Sequence, residues 1–366
     1  MKSIKKVLVA DWLDAYGGAE RVIKSIEEVC RFDITYTLIC LMHRDHLFKI
    51  YQTKTPRIVQ TFVRHFGKPF RYFFFTFHFF VDRIKVPKDV KLIVSSSHSV
   101  AKGVRKSSPD QLHISYFQAR NFNYIWEDAP LFFGKFQSLF SPLILFLRKI
   151  DVAQAQRPDY IVANSNFVRD WVKFRYNRDA DVIYPPVDLS QFDLQEQKEE
   201  FYVTVGRIVT VKKFDIVVEA FNQNKKKLVV IGDGLHRKEL EQMASPNIHF
   251  TGFLDTKELR QYISKAKGFI QSGVEGFGIA TLEAQACGTP VIAFGQGGVL
   301  ETVVEGKTGV FFEEQTTSSL LKAIEVFEQT TFDAAAVRIE ALRFSEERFK
   351  KELGEFIEQK LQEHNV

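Results

Sequence analysis

The stretch Gly273–Glu305, which reads GVEGFGIATLEAQACGTPVIAFGQGGVLETVVE, limits the possible folds of this chain more than any other part of the sequence. It opens with a glycine-rich turn, Glu275–Gly278, and continues as a helix-compatible run, Ile279–Cys287, which a Gly-Thr-Pro sequence ends. A short apolar strand, Val291–Phe294, and a second glycine turn, Gly295–Gly298, follow. Backbone N–H groups are unpaired where a glycine turn enters a helix, and the helix dipole there favours an anion. The stretch therefore predicts an anion-binding loop in an α/β sheet.

Two carboxylates accompany this predicted anion site. Glu275 lies in the turn, and Glu283 lies eight residues later on the helix. Because Ile279 and Glu283 are i, i+4 neighbours, Glu283 faces the surface that carries the turn. Carboxylates accept hydrogen bonds from sugar hydroxyl groups, so the pair indicates hydroxyl recognition. Taken alone, such a pair is far more often two surface glutamates on an ordinary loop, because glutamate is common.

The string EGFGIATLEAQACGTPVIA resembles the donor-site motif of family 4 retaining glycosyltransferases, which are GT-B enzymes that use nucleotide sugars. The E-x7-E pattern of that family falls on Glu275 and Glu283. The resemblance implies that Glu275 orients the sugar hydroxyls and that Glu283 holds the ribose. It also implies that the backbone at Gly276, Phe277 and Gly278 stabilises the leaving diphosphate.

Two cations follow a predicted strand, Phe201–Val205, in the same half of the chain. Arg207 offers a planar fork of donors and Lys212 a point charge, a combination that suits a diphosphate. As isolated residues they would be ordinary surface charges. They match the GR-x4-K pattern of the family, which implies that they clamp the diphosphate and that, with Glu275, they are the catalytic residues.

The same resemblance places the nucleotide base near the turn that follows the predicted strand Ile248–Thr251. Phe253 and Leu254 are therefore expected to contact the base. Asp179 and Asp181 form a D-x-D sequence of the kind seen in metal-dependent sugar transferases. They lie in a charged turn, where aspartate is common, so we expect a solvated loop and no metal site or other cofactor.

The first βα unit of the chain also carries a glycine pair. The strand Val7–Ala10 leads through Gly17 and Gly18 into a run with helical period, Arg21–Val29. The two glycines either serve only the turn or let a ligand approach the backbone closely. The family resemblance implies that this turn lies near the donor phosphates and the acceptor.

Two further polar residues follow predicted strands of the first half. His98 follows Leu92–Val94 and precedes a helix-like run, Val100–Arg105, and Gln118 follows Leu112–Tyr116. The carboxyl ends of strands are where α/β sheets place ligand-binding groups. The string SSSHSVAKGV resembles a subgroup that transfers mannose in bacterial surface polysaccharides, which implies that both residues position the acceptor or the sugar. That subgroup has histidine where this chain has Gln118, and glutamine can also hydrogen-bond a hydroxyl.

Length and pattern together predict two domains. A chain of 366 residues is long for one core, strands alternate with helices, and the polar segment Leu189–Glu200 reads as a linker. With the resemblance, this predicts an α/β GT-B fold of two doubly wound Rossmann-like domains that face each other across a cleft. We expect an acceptor domain at 1–187, a nucleotide-sugar domain at 188–345, and a C-terminal helix at 346–366 that returns to the first domain.

Cysteine content and hydropathy bear on the compartment. The three cysteines lack metal-ligand spacing, which favours a reducing environment without disulfides. The first apolar run is too short for a signal peptide, and no uninterrupted run of 18 apolar residues predicts a membrane span. We therefore expect a cytoplasmic protein.

Basic and aromatic residues are concentrated in the first half. Residues 57–91 carry eight basic and two acidic groups, and this local charge of +6 exceeds the +5 of the whole chain. Phe70–Phe80 lies inside this region, and Leu131–Lys149 is a second such stretch. Either these segments form a peripheral face on the inner side of an anionic plasma membrane, or Phe70–Phe80 packs the core. A basic patch with interleaved aromatics also fits a nucleic-acid-binding protein, which is the alternative from a different class.

The resemblance thus implies a retaining hexosyltransferase, and we expect it to need no metal because the two cations supply the positive charge. The expected donor is GDP-mannose, and a UDP-sugar is the alternative within the family. The expected acceptor is a glycan or a lipid-diphosphate-linked saccharide of surface polysaccharide biosynthesis, such as lipopolysaccharide, with no nucleic-acid partner.

Overall fold

The computed structural model describes residues 4–52 and 56–364, which divide into two compact units. The first unit contains the chain up to Pro186 together with the segment from Glu347 onward, and the second contains Val187–Glu346. The predicted bounds differ from these by one residue, and residues 1–3, 53–55 and 365–366 of the predicted domains lie outside the described residues.

The described part of the first unit contains a seven-stranded parallel sheet with the order β3-β2-β1-β4-β5-β6-β7. Its strands are β1 (Lys5–Ala10), β2 (Ile34–Thr37), β3 (Arg57–Gln60), β4 (Val90–Ser97), β5 (Leu112–Phe117), β6 (Tyr160–Ala163) and β7 (Asp181–Val182). The predicted strands at 7–10, 92–94, 112–116 and 160–163 are confirmed. Their continuous apolar runs are typical of strands that are covered on both faces.

Helices connect these strands. They are α1 (Gly18–Cys30), α2 (Arg44–Tyr51), α3 (Phe77–Val81), α4 (Ala129–Phe133), α5 (Gln137–Ala155) and α6 (Asn166–Tyr176). Further 3-10 helices occupy Phe62–Phe66, Lys68–Thr76, Ala101–Gly103, Asn123–Ile125 and Gly134–Phe136. Helix α6 begins at the predicted cap, where the Ser165 hydroxyl accepts a hydrogen bond from the Val168 N–H at 3.1 Å. The predicted helix at 100–105 is wrong: only the 3-10 turn forms, and Val104 is already extended.

A buried polar cluster fixes α5 against the first unit. Asp151 on α5 is fully buried and accepts hydrogen bonds from Lys102 Nζ at 2.7 Å, Trp126 Nε1 at 2.9 Å and Tyr176 Oη at 2.6 Å. A buried charge is tolerated only when it is paired and hydrogen-bonded. Asp151 therefore determines which face of α5 is turned inward.

The second unit is built in the same way. Its described residues form a six-stranded parallel sheet with the order β10-β9-β8-β11-β12-β13. The strands are β8 (Glu199–Val205), β9 (Leu228–Ile231), β10 (Ile248–Gly252), β11 (Ala266–Gln271), β12 (Val291–Phe294) and β13 (Gly309–Phe312). The helices are α7 (Phe214–Asn224), α8 (Arg237–Met243), α9 (Thr256–Lys265), α10 (Ile279–Ala286), α11 (Val299–Thr302), α12 (Thr317–Gln329) and α13 (Ala334–Leu342). Both sheets reverse their strand order next to the first strand of the unit.

The segment predicted as a linker is folded onto the second unit. Leu189 and Phe192 are buried, and a 3-10 helix spans Leu189–Gln191. Lys198 Nζ donates to the carbonyl oxygens of Ser264 and Cys287 at 2.8 and 2.9 Å. The linker prediction at 189–200 is therefore wrong, because a few buried side chains can fix a segment whose overall composition is polar.

The last helix, α14 (Glu346–Glu363), packs on the first unit, as predicted. It buries residues with helical spacing: Phe349, Leu353, Ile357 and Leu361. The Phe349 ring meets Tyr116 of β5 edge-on at 5.8 Å, and Lys350 pairs with Glu28 of α1. The amphipathic pattern of the tail was sufficient to predict this helix.

One segment departs from the expectation that nothing in the chain suits a membrane span. By length and composition, Ala129–Ala155 is apolar enough to cross a membrane, and only 11% of its most apolar window is buried. Polar residues, among them Lys135, Gln137 and Arg148, interrupt this segment, so it contains no uninterrupted run of 18 apolar residues. The described residues contain one such helix.

Candidate functional site

The predicted donor residues follow neighbouring strands of the second sheet. In the order β10-β9-β8-β11-β12-β13, the connections leave β8 and β11 in opposite directions along the sheet. Ligands of doubly wound sheets bind at the carboxyl ends of the strands beside such a reversal. Arg207 and Lys212 follow β8, and Glu275 follows β11. Strand order thus brings together loops that are more than sixty residues apart in sequence.

The bend after β11 rests directly on the glycine turn after β12. The Gly298 N–H donates to the Glu275 carbonyl at 2.9 Å, and Glu275 and Gly297 form a parallel bridge. A Cβ atom added at Gly298 would lie 2.4 Å from the Gly276 carbonyl oxygen, and one at Gly297 would lie 2.6 Å from that of Glu275. Only glycine permits this backbone contact, which fixes the bend immediately before α10 begins.

Lys212 and Glu275 are in direct contact across these loops. Lys212 Nζ donates to Glu275 Oε1, and Gln271 Nε2 donates to the same carboxylate oxygen at 3.3 Å. The Ser272 hydroxyl donates to the Lys212 carbonyl at 2.8 Å, which ties the two loops together a second time. The two charged side chains are 28% and 22% exposed. The carboxylate predicted to orient the sugar and the cation predicted to bind the diphosphate therefore lie side by side.

Burial changes the acidity of this lysine. Desolvation, with a smaller contribution from repulsion by the Arg207 guanidinium, lowers the pKa of Lys212 to about 8. The Glu275 carboxylate in contact opposes both effects. Arg207 itself is exposed, one residue beyond Gly206 at the end of β8. An ammonium has three donors, so Lys212 can contact a carboxylate and a phosphate oxygen at once.

The remaining predicted donor residues differ in exposure. Phe253 is 82% exposed beyond the end of β10, at the edge of the sheet, and Leu254 is half-buried. Glu283 on α10 is only 4% exposed, so its carboxylate is more enclosed than a surface position implies. Phe277 is also buried and packs edge-on against Phe344 at 5.3 Å. The ribose and base assignments stay predictions.

The first unit repeats the arrangement at the ends of β1, β4 and β5. In its strand order, the reversal lies between β1 and β4. Gly17 and Gly18 follow β1, His98 follows β4, and Gln118 follows β5. The structure therefore places these four predicted residues at one edge of the first sheet.

Asp11, which the sequence analysis did not single out, organises this edge. It is 1% exposed, and its two carboxylate oxygens accept four backbone N–H bonds, from His98 at 2.6 Å and from the next three residues at 2.6–2.8 Å. Oδ2 also lies 3.2 Å from His98 Nδ1, and the His98 ring stands edge-on to Trp12 at 4.4 Å. Asp11 thus holds both the loop and the imidazole of His98. The sequence signal that could have pointed to Asp11 is its position as a single acidic residue directly after a buried strand.

Gln118 joins this edge to the glycine turn. Its side-chain nitrogen donates to the Ser96 hydroxyl at 2.9 Å and to the Ala19 carbonyl at 3.3 Å. Its backbone carbonyl accepts a hydrogen bond from Asn164 Nδ2 at 2.6 Å. A substrate hydroxyl could therefore meet only the side-chain oxygen of Gln118.

The glycine turn itself does not require glycine for its backbone. Gly17 caps α1 with an extended backbone (φ −135°), and its N–H donates to Glu20 Oε2 at 2.9 Å. A Cβ atom at Gly17 would meet only that carboxylate, at 3.4 Å. The fold therefore gives no steric reason for glycine at this position, which leaves close approach of a ligand as the open explanation.

Potential metal ligands do not cluster in the part of the chain that the structure describes. Among residues 4–52 and 56–364, no three His, Cys, Asp or Glu side chains are placed to hold a metal ion. Asp179 of the D-x-D sequence is exposed and pairs with Lys173 at 2.8 Å.

Comparison with known proteins gives a family match for most of the second half of the chain. Residues 188–342 match the family model described as Glycosyl transferases group 1. An uncharacterized glycosyltransferase of Methanocaldococcus jannaschii is 29% identical over 171 residues, which are 45% of this chain and 48% of that protein. The GDP-mannose-dependent alpha-(1-6)-phosphatidylinositol monomannoside mannosyltransferase of Mycolicibacterium smegmatis is 29% identical over 170 residues, 38% of this chain and 44% of that protein. The chain spans about half the length of these relatives.

The whole chain also resembles solved structures. Anabaena HepE in complex with UDP and glucose superposes with a TM-score of 0.71 over 97% of this chain and 100% of that one, at 18% identity. At this identity the likeness shows the fold alone. The fold is the predicted GT-B fold, with two Rossmann-like parallel sheets.

The contrast between the glycine turns can be tested by stability. We expect Gly298→Ala to lower the free energy of unfolding of the second unit by about 1–3 kcal/mol, because the new methyl group overlaps the Gly276 carbonyl. Gly17→Ala should cost no more than about 1 kcal/mol, the usual loss at a helix cap. Urea denaturation followed by circular dichroism measures both. A Gly17→Ala protein as unstable as Gly298→Ala would mean that the first turn needs glycine for its fold.

The role of Asp11 predicts a large loss of stability. In Asp11→Ala the four buried N–H groups lose their acceptor, and each unsatisfied group costs about 1–3 kcal/mol. The first unit should then unfold at a clearly lower urea concentration. The matched control, Asp110→Ala, changes an exposed loop residue of the same unit and should leave the midpoint unchanged. Equal midpoints for the two variants would refute the role given to Asp11.

Proposed function

We propose that the chain, whose residues 188–342 match the group 1 glycosyl transferases, transfers a hexosyl group from a nucleotide sugar to an acceptor hydroxyl with retention of configuration. The observation that carries this proposal is the Lys212–Glu275 pair, held at a glycine bend beside the reversal of the second sheet. In a ligand that joins a sugar to a diphosphate, the cation can bind the diphosphate while the adjacent carboxylate binds the sugar hydroxyls.

Charge development assigns the roles in this proposal. As the glycosidic bond breaks, negative charge grows on the diphosphate and the sugar becomes cation-like. Lys212, Arg207 and the N–H groups at Phe277 and Gly278 would stabilise the leaving group, and losing one such donor typically slows a reaction about 100- to 1000-fold. Glu275 would orient the sugar hydroxyls. The cations supply the positive charge, so we propose that no metal is required.

Retention is proposed to follow from attack on the face that the leaving group vacates. The donor would bring its diphosphate to Lys212 while its hydroxyls meet Glu275, so the two partners of the ion pair are used by adjacent parts of one ligand. Glu283 is proposed to hold the ribose, and Phe253 and Leu254 to contact the base. His98 and Gln118 are proposed to position the acceptor or the sugar, with Gly17 and Gly18 near the phosphates.

Two donors have support. Mannose from GDP-mannose is favoured by the likeness to a GDP-mannose-dependent mannosyltransferase. A UDP-sugar is favoured by the fold shared with HepE, whose structure holds UDP and glucose. We propose GDP-mannose first, because the supporting relative matches in sequence at 29% identity as well as in its class of enzyme.

The proposed acceptor is a glycan or a lipid-diphosphate-linked saccharide of bacterial surface polysaccharide synthesis. The Mycolicibacterium relative is a phosphatidylinositol monomannoside mannosyltransferase, which supports a lipid-linked substrate. We propose that the protein works in the cytoplasm and associates peripherally with the inner face of the membrane.

Nucleotide-dependent thermal shift decides between the donors. A nucleoside diphosphate at 100 times its Kd adds about 2.7 kcal/mol to the stability of the unit that binds it. We expect GDP to raise the melting temperature more than UDP or ADP. Lys212→Ala should abolish the shift, while Lys238→Ala, which removes an exposed lysine from α8, should keep it. A larger shift with UDP would assign a UDP-sugar donor, and no shift with any nucleotide would contradict the proposed function.

The lowered pKa of Lys212 predicts how nucleotide affinity depends on pH. Below a pKa of about 8 the lysine is protonated and attracts the diphosphate, and above it the charge is lost. Affinity for the favoured nucleoside diphosphate should therefore fall about tenfold between pH 7 and pH 9, as titration calorimetry can measure. Lys212→Arg keeps its charge in this range and should flatten the profile. An unchanged profile in that variant would mean that another group titrates.

A further inference from the structure

A continuous chain of aromatic contacts joins two sequence segments of the first unit. The segments are 62–80 and 129–149, and together they form what we call the aromatic surface. Neighbouring rings along it have centroids 4.4–6.5 Å apart, in the order Phe79, Phe80, Phe62, Phe66, Phe73, Phe75, Phe74, Phe133, Phe140. The two stretches that the sequence analysis treated separately are therefore one feature of the molecule.

Much of the aromatic surface is open to solvent. Tyr72 is 78% exposed, Leu139 is 72% exposed and Phe132 is 61% exposed. Nine further large apolar side chains of the two segments are at least 37% exposed: Phe62, Phe73, Phe75, Phe79, Leu131, Phe136, Phe140, Leu145 and Phe146. Contiguous apolar patches of this kind are rare on soluble monomers and mark an interaction site.

The same segments also supply part of the core, which settles the alternative left open by the sequence. Phe70 and Phe77 are buried, and both pack against Trp12. The Phe70–Phe80 stretch therefore divides its rings between the core and the surface. The exposed rings are not required by the core and need another explanation.

Helix α5 lies along the aromatic surface and cannot leave the first unit. Ile144 and Leu147 are buried in the core, and Asp151 is held by the Lys102 ammonium. Arg148 donates to the Ile125 carbonyl at 2.7 Å. These contacts occupy one side of the helix, while Leu145 and Phe146 point outward. A helix so anchored presents one apolar side and does not cross a bilayer.

The two segments of the aromatic surface carry charge of one sign, and one of their cations, Arg71, pairs with Asp14 outside them. Residues 62–81 and 129–150 contain no aspartate or glutamate. Their basic residues are Arg64, Lys68, Arg71, Lys135, Arg148 and Lys149, and all except Arg148 are exposed. A surface that is both apolar and cationic is complementary to an anionic lipid interface, where aromatic rings and basic side chains are favoured together.

A basic hollow borders the aromatic surface. This cavity of about 450 Å³ is lined by Phe62 and Phe80, which belong to the surface, and by Arg57, Arg83 and Lys85. Three cations around one hollow suit a phosphate headgroup. The hollow and the aromatic surface therefore offer sites for the two parts of a phospholipid.

We propose that the aromatic surface docks on an anionic phospholipid bilayer, with α4 and α5 lying in the interface plane and the basic hollow facing the headgroups. The bilayer is favoured over a second copy of the chain because two copies would bring the same cations together. The proposed membrane association would then use the aromatic surface and reach only the lipid interface, and it does not depend on sugar transfer. Lipid binding can be present in a protein that binds no nucleotide, and absent in one that does.

Vesicle co-sedimentation of the full chain tests the proposal. We expect binding to phosphatidylcholine vesicles that contain phosphatidylglycerol, weak binding to pure phosphatidylcholine, and loss of binding at high salt. The triple variant Phe136→Ser, Leu139→Ser, Phe146→Ser should lose binding. Its control, Phe174→Ser, Leu235→Ser, Ile339→Ser, changes equally exposed residues elsewhere and should bind like the unaltered protein. Circular dichroism should show that both remain folded.

Charge is tested separately. Lys135→Gln with Lys149→Gln should weaken binding to the anionic vesicles about fivefold for each cation removed. Lys238→Gln with Lys322→Gln removes two exposed lysines of the second unit and should change nothing. Equal losses in the two pairs would show that only net charge matters and would overturn the assignment of the surface.

Depth and competing occupants complete the test. Alkaline carbonate should release the protein from vesicles, and resistance to release would overturn the interfacial placement in favour of a spanning helix. Failure to pellet with anionic vesicles at low salt would overturn the proposal. A concentration-dependent dimer that the apolar triple variant abolishes would also overturn it, because the surface would then bind a second copy of the chain. Binding of a single-stranded oligonucleotide that the same variant abolishes would overturn it in favour of nucleic acid.

Discussion

The contact between two glycine turns in the second unit sets the geometry of the candidate site. The Gly298 N–H meets the Glu275 carbonyl, and no side chain fits at Gly297 or Gly298. This contact holds the bend after β11 at the start of α10, and the bend in turn presents the Glu275 carboxylate to Lys212. The strand order then brings in the loop after β8, because β8 and β11 are neighbours. The site therefore depends on backbone packing before it depends on charge.

The first unit uses a buried carboxylate where the second uses glycine contacts. Asp11 accepts four backbone N–H bonds from the loop after β4, and the same carboxylate lies beside His98 Nδ1. Charge-assisted hydrogen bonds of this kind are stronger than neutral ones, so they can hold a loop that lacks regular structure. Gln118 links the neighbouring loops through Ser96 and Ala19. In both units the loops at the carboxyl ends of the strands are held by contacts from adjacent strands.

The aromatic segments show why composition alone left their role open. Runs of phenylalanine have no helical or strand period, so the 3-10 helices at Phe62–Phe66 and Lys68–Thr76 could not be predicted. Tertiary packing sends Phe70 and Phe77 inward and leaves Tyr72 and Phe79 exposed. Asp151 decides which side of α5 faces the core, because its buried carboxylate must stay paired with Lys102. The side of that helix that carries Leu145 and Phe146 is then turned away from the core.

The sequence by itself determined the two-unit α/β fold, the strand at Val291–Phe294 and the returning helix α14, because local patterns specify strands, turns and amphipathic helices. The motif also identified Lys212 and Glu275. Only the tertiary structure showed that these two residues touch, although 63 positions separate them. It alone revealed the role of Asp11, whose partners begin 87 positions later. The physical reason is the same in both cases. A parallel sheet places loops side by side according to its strand order, and no local stretch of the chain specifies that order.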